Sequence, residues 1–165
     1  RLSQLDEGGA LPHEQVSVLE LAQEAARSLT AQAAAQAVHI SVTGTAGTVF
    51  GVRRLLYEIA RNLCENAVKY NVPGGSVTVE VAETDRDVTL LVRDTGIGIP
   101  EGDQSRVFER FYRVDKSHSR AIGGTGLGLS IVKHAVAYHH GTLRLESQPG
   151  KGTVITVTLP KEPTE

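Results

Sequence analysis

The sequence predicts one α/β domain, and its apolar pattern and its length carry that prediction. Apolar residues recur at helical spacing over 16–37, 52–70 and 126–140. Runs of β-branched and aliphatic residues behave as strands over 38–44, 76–82 and 87–93, then in TLRLESQPG and KGTVITVTLP near the end. A chain of 165 residues is one domain by length, and long enough to bury roughly two thirds of its unfolded surface.

Taken in order, RLSQLDEGG over 1–9 has a helical pattern that stops at a Gly pair and reads as the tail of a helix from something larger. His13, beside Pro12, is a loop histidine, because nothing near it in sequence completes a phosphoacceptor or metal site. Val18, Leu21, Ala22, Ala25 and Leu29 give the helix over 16–37 an apolar face to lay on a sheet. VHISVTG follows as a strand, and 47–51 is a short extended piece. In the helix over 52–70 the expected buried stripe is Val52, Leu55, Ile59, Leu63 and Tyr70. NVPGG over 71–75 is a turn, and the strands over 76–82 and 87–93 pair antiparallel around a polar link. A last hairpin ends the domain, with KEPTE over 161–165 a frayed tail.

Composition narrows the function. Lys+Arg 17 against Asp+Glu 19, net charge -2, gives no field for a polyanion, so nucleic acid is not expected as a partner. One Cys rules out an internal disulfide and suits a reducing compartment, and Cys64 on its helix reads as a small buried apolar residue. No stretch is long and apolar enough to span a bilayer. His134 and His139 lie i, i+5 on the last helix and do not make a zinc site.

The chemistry gathers around two Gly-rich clusters, DTGIGIP over 94–100 and GGTGLGL over 123–129. The first follows a strand ending in Asp94, whose carboxylate can accept from an exocyclic amine, while Gly96 and Gly98 would let backbone lie against a flat ring. The second opens a helix, so Gly124, Gly126 and Gly128 sit where free N–H groups and the helix dipole suit phosphates. No GxxxxGK[ST] occurs, and Gly150-Lys151-Gly152-Thr153 belongs to the final hairpin. Nor do the glycines match a dinucleotide fingerprint. Between the clusters, a polar segment from Thr95 to Gly124 carries Arg106, Arg110, Arg113, Lys116 and Arg120 among Phe108, Phe111 and Tyr112, as a lid over a nucleotide would. Glu101, Asp103, Glu109 and Asp115 dilute it as a nucleic-acid surface. On the helix over 52–70, Glu58, Asn62, Asn66 and Lys69 share one stripe. Asn is a poor helix former, and its amide oxygen can complete the shell of Mg²⁺ while Lys69 adds charge near phosphates.

With these motifs in order, NLCENAVKY, DTGIGIP, FERFYR and GTGLGLSIVKH, the chain resembles the ATP-binding catalytic domain (HATPase_c) of bacterial sensor histidine kinases of the GHKL superfamily. It looks most like phosphate-sensing and cell-wall-sensing membrane kinases. The resemblance implies a two-layer α/β sandwich of the Bergerat type, with three helices on a mixed sheet of about five strands and a long ATP lid. It implies a remnant of the dimerisation and phosphoacceptor hairpin over 1–12, the catalytic domain over 13–160 and a disordered tail over 161–165. ATP and Mg²⁺ are the implied cofactors: Asn66 as metal ligand, Asn62 and Lys69 near the phosphates, Tyr70 near the adenine, and Asp94 reading it. Gly96, Gly98, Ile99, Gly124, Thr125, Gly126, Leu127, Gly128 and Leu129 would line the nucleotide, with Arg113 reaching the terminal phosphate.

The family's phosphoacceptor His, in the form SHELRTPL, is absent from this sequence. The implied partners are therefore the phosphoacceptor domain of the same parent and a response regulator, the parent being a membrane-bound homodimer with this domain in the cytoplasm. A GHKL hydrolase or serine kinase is the rival enzyme reading. Those relatives carry a general-base Glu four residues before the metal-binding Asn, where this chain has Asn62. A nucleotide-sensing docking module is the reading without catalysis.

Overall fold

The computed structural model describes residues 11–109 and 128–162. Strand β1 (Glu14–Ser17) leads into helices α1 (Val18–Ser28) and α2 (Thr30–Ala35), then strands β2 (His39–Gly44) and β3 (Thr48–Gly51). Helix α3 (Arg53–Lys69) precedes strands β4 (Ser76–Glu83) and β5 (Asp87–Asp94) and a 3-10 turn at Glu101–Asp103. Helix α4 (Gly128–Tyr138) and strands β6 (Thr142–Gln148) and β7 (Gly152–Pro160) complete the described chain.

Alternation builds the sheet. Val77, Val79 and Val81 on β4, Val88, Leu90 and Val92 on β5, and Ile155, Val157 and Leu159 on β7 are all buried. Side chains two apart leave a strand on the same face, so these residues form one apolar surface. The sheet runs β2-β4-β5-β7-β6, with β2 parallel to β4 and the remaining pairs antiparallel. Helices α1, α3 and α4 put Leu21, Leu63 and Val132, among others, into the same core cluster as those strands. Burying a residue such as Leu63 contributes about 1.5–3 kcal/mol relative to leaving it exposed. The expected one-sided sandwich with a mixed sheet of five strands is present.

Helix α3 lies at the centre, against α1, α4, β4 and β5. Its buried residues are Leu56, Ile59, Ala60, Leu63, Cys64, Ala67 and Val68. Two members of the expected stripe, Leu55 and Tyr70, are only half-buried, because the helix is covered on two sides and its apolar face is centred closer to Leu56 and Ala60. Burial pushes the Cys64 thiol up to about 12 against the opposing effect of Arg61, which fits a structural cysteine.

The expected helix over 16–37 is a strand followed by two helices. Val16 and Ser17 belong to β1, where Val16 faces Val49 of β3 and both are fully buried. Ser17 then caps α1, its Oγ accepting from the Glu20 N–H at 3.2 Å. Ser17 and Glu20 stand at capping-box spacing, a start signal that outweighs the apolar periodicity running through it. The helix breaks at Leu29, where the hydroxyls of Ser28 and Thr30 donate back to the carbonyls of Ala25 and Arg27, at 2.7 and 2.9 Å.

At the far end of α4, His139 is 1% exposed. Its Nε2 accepts from the Val52 N–H at 3.1 Å, so Nδ1 carries the proton and donates to the Ala135 carbonyl at 2.8 Å. Val52 has no side-chain cap of its own, and the ring supplies one for the start of α3. Burial is the largest cause holding the His139 pKa below the usual histidine value. Past β7, the Lys161 carbonyl accepts from Phe50 N–H at 2.8 Å and its Nζ lies 2.9 Å from Glu83.

Candidate nucleotide site

The asparagine stripe of α3 faces the start of α4. A Cβ on Gly128 would lie 3.3 Å from Asn62 Oδ1 and 3.8 Å from Asn66 Nδ2. Asn62 donates through Nδ2 to the Glu58 carbonyl at 2.8 Å, which leaves Oδ1 turned toward that helix start. Lys69 lies 3.6 Å from Glu65, which also holds Arg61 at 3.0 Å, so its charge is directed along the helix surface toward Glu65. Asn62, Asn66 and Tyr70 follow one another at i, i+4 and cover roughly 12 Å of helix axis.

At the Tyr70 end sits the loop after β5. Asp94 Oδ1 accepts from Gly96 N at 2.9 Å and from Thr153 N at 3.2 Å. Both bonds among the described residues fall on Oδ1, so Oδ2 is the atom that can accept from an incoming amine. Burial pushes the Asp94 pKa up to about 6, with the two N–H bonds opposing it. The loop is pinned by Ile97 N donating to the Tyr70 carbonyl at 3.0 Å.

The glycines of this loop are also required by the fold itself. A Cβ on Gly96 would meet the Tyr70 carbonyl oxygen, and one on Gly98, at φ +75°, would meet that of Gln148. Both are places where backbone packs on backbone and shapes the floor of the site. Ile99 N donates to Ser147 Oγ at 2.8 Å, and Gln104 Nε2 to the carbonyls of Ile99 and Ser147 at 2.9 and 3.1 Å. The first part of the expected lid is thereby tied to the β6–β7 hairpin.

The structure thus places Asn62, Asn66 and Gly128 together, with Leu129 half-buried beside them, and Tyr70, Asp94, Gly96, Gly98 and Ile99 together at the C-terminal end of α3. Arg113, Gly124, Thr125, Gly126 and Leu127 lie outside the described residues, as do the other expected lid residues from Arg110 to Arg120. Asn71, Thr95, Ser147 and Thr153 were missed as site residues. Asn71 stood in a turn, where asparagine is ordinary, and nothing in its sequence context signals that it is buried. No group of His, Cys, Asp or Glu that could hold a metal occurs among the described residues. A hard cation here would rely on amide oxygens and phosphates, for which the half-buried amide of Asn66 is suited.

A one-sided α/β sandwich with an acidic strand end, glycine turns and an asparagine-bearing helix between them is the architecture of a nucleotide-binding domain. The chain belongs to the Histidine kinase-, DNA gyrase B-, and HSP90-like ATPase family, whose profile matches residues 51–163. It is 47% identical over 133 residues to the sensor-like histidine kinase SenX3 of Mycolicibacterium smegmatis, covering 79% of this chain and 35% of that protein. Among solved structures it is similar to the mycobacterial sensor histidine kinase MprB, with 33% identity and a TM-score of 0.79 over 93% of this chain and 100% of that one. It is also similar to full-length ShkA in complex with AMPPNP, with 26% identity and a TM-score of 0.78 over 93% of this chain and 32% of that one. The chain spans about a third of the length of SenX3.

Proposed function

We propose that this chain is the ATP-binding catalytic domain of a two-component sensor histidine kinase, taking Mg-ATP and passing its γ-phosphoryl to a His on a separate helical hairpin. The observation that supports this is the arrangement along α3, with the Asp94 carboxylate at the Tyr70 end and the Asn62–Gly128 contact about two turns earlier. Asp94 would accept from the adenine amine, and the start of α4 would receive the phosphates. Asn66, with Asn62 and Lys69 nearby, would hold Mg²⁺, which when bound neutralises charge across the β- and γ-phosphates. Arg113 would reach the terminal phosphate, and Thr125, Leu127 and the other second-cluster residues would enclose it. The acceptor imidazole nitrogen attacks the γ-phosphorus, the bond to the bridging oxygen breaks, and ADP leaves. This chain's residues contribute positioning and charge stabilisation. The parent would be a membrane-bound homodimer working with a response regulator.

Hydrolysis is disfavoured by the positions of the carboxylates. Asn62 stands where a hydrolytic relative has its general base, while Glu58 and Glu65 are engaged by Arg54 and by Arg61 and Lys69. The test is incubation with Mg-ATP labelled on the γ-phosphate, following nucleotide binding, free phosphate and protein-bound label. Binding without turnover, then acid-labile label once the parent's phosphoacceptor hairpin is added, is the expected result. Brisk phosphate release by the chain alone, abolished by Asn66→Ala, would replace this reading with the hydrolase.

A further inference from the structure

We infer that Asn71 is a positioning residue for base selection: buried beneath the Asp94 loop, it holds Thr95 and the end of the β4–β5 pairing so that Asp94 faces an adenine amine. This deepens the proposed function and rests on Asp94 reading the base.

Asn71 is 9% exposed, and both the nitrogen and the oxygen of its amide are engaged. Nδ2 donates to the Ser76 carbonyl at 3.0 Å, and Oδ1 accepts from Val72 N at 2.8 Å and from the Thr95 hydroxyl at 3.3 Å. Thr95 Oγ1 in turn accepts from Ser76 N at 2.9 Å, while Thr95 N donates to the Ser76 carbonyl at 3.2 Å. Ser76 is the first residue of β4, and Val77 beside it is paired with Asp94. One side chain therefore joins the C-terminal end of α3, the start of β4 and the residue after the base-reading carboxylate. The fit is close on both sides: a Cβ on Gly75 would strike Asn71 Oδ1, and one on Gly96 would lie 3.0 Å from Asn71 Cα. Removing the amide takes one partner from the carbonyl of half-buried Ser76 and one from the hydroxyl of exposed Thr95, leaving Thr95 with only its bonds to Ser76. A site built to satisfy a substrate amine rejects the analogue without it, and that rejection depends on the carboxylate being held still.

The test compares binding of Mg-ATP and Mg-ITP, whose base carries a 6-oxo group in place of the amine, with melting temperature measured alongside. Asn71→Ala and Thr95→Val should each narrow the ATP-over-ITP preference about fivefold or more, approaching the value of Asp94→Asn. Thr95→Ser, which keeps the hydroxyl, should retain the preference. A lowered melting temperature with the preference intact would overturn the inference and leave Asn71 a structural residue only. If Asn71→Ala does not fold, the Thr95→Val and Thr95→Ser pair decides alone. An unchanged preference in Asp94→Asn would remove base recognition from Asp94, and this inference with it.

Discussion

The imidazole of His139 accepts a hydrogen bond from the backbone N–H of Val52, 87 residues earlier, and so caps the central helix α3 from the end of α4. The bond exists only while the ring is neutral, because an imidazolium has no acceptor nitrogen. The two helices that frame the candidate site are thereby joined through an imidazole whose pKa burial holds below the usual histidine value.

The His139 pKa is lower in the fold than in the unfolded chain. Its contribution is complete above the unfolded value of about 6.5 and is lost as pH falls through the folded one. In His139→Leu that acid-side slope should flatten, and the stranded Val52 N–H should cost about 1–3 kcal/mol at pH 7.5. Urea unfolding of both proteins between pH 5.5 and 7.5 checks both points. Parallel pH profiles for the two would contradict the bond.

Asp94 runs the other way. Its pKa is raised in the fold, so its contribution is complete below the ordinary aspartate value of 3.8 and is lost as pH rises through about 6. Asp94→Asn should therefore stabilise the protein at pH 7.5 by about 1–3 kcal/mol. The same change should weaken ATP binding about tenfold or more, through loss of a charge-assisted hydrogen bond. Because an adenine amine favours the ionised carboxylate, ATP binding by the unmutated protein near pH 6 should release protons. Calorimetry in buffers of different ionisation enthalpy reads that release, which should be smaller for the variant by the share that Asp94 supplies.

Asn66→Asp should disturb the Mg²⁺ dependence of ATP binding more than affinity for metal-free nucleotide. Titrations with and without EDTA measure the two, and equal effects would argue against a metal role for this amide.

Gly98 and Gly128 should respond differently to the same substitution. Gly98→Ala forces a Cβ into the Gln148 carbonyl at positive φ, and a loss of about 2 kcal/mol or more is expected in thermal or urea melts. Gly128→Ala sits at a helix start against the Asn62 amide, so the fold should tolerate it while ATP affinity falls. Equal stability losses in both would show that Gly128 serves packing alone.

What could be read in the sequence were features that repeat. Helix α3 is long enough for its period to place Asn62 and Asn66 on one side, and the β-branched runs of β4, β5 and β7 gave the sheet. The β1–β3 pair was not legible, because four-residue strands carry too little pattern and β1 merges with the apolar spacing of α1. The glycines of the Asp94 loop were legible as a cluster, but their reason was not, since it depends on carbonyls at Tyr70 and Gln148 that come near only on folding. Asn71 shows the same limit more sharply. Its role rests on partners at the start of one strand and just past the end of another.

The buried thiol of Cys64 makes the protein convenient to handle. It is the one cysteine in the chain, it is fully enclosed, and with its pKa pushed up to about 12 it offers almost no thiolate to a maleimide at neutral pH. Gly102, in the 3-10 turn beyond Pro100, is exposed, and nothing lies within 4 Å of a Cβ placed there. A Gly102→Cys protein can thus take a single fluorophore in that turn with the native cysteine left in place.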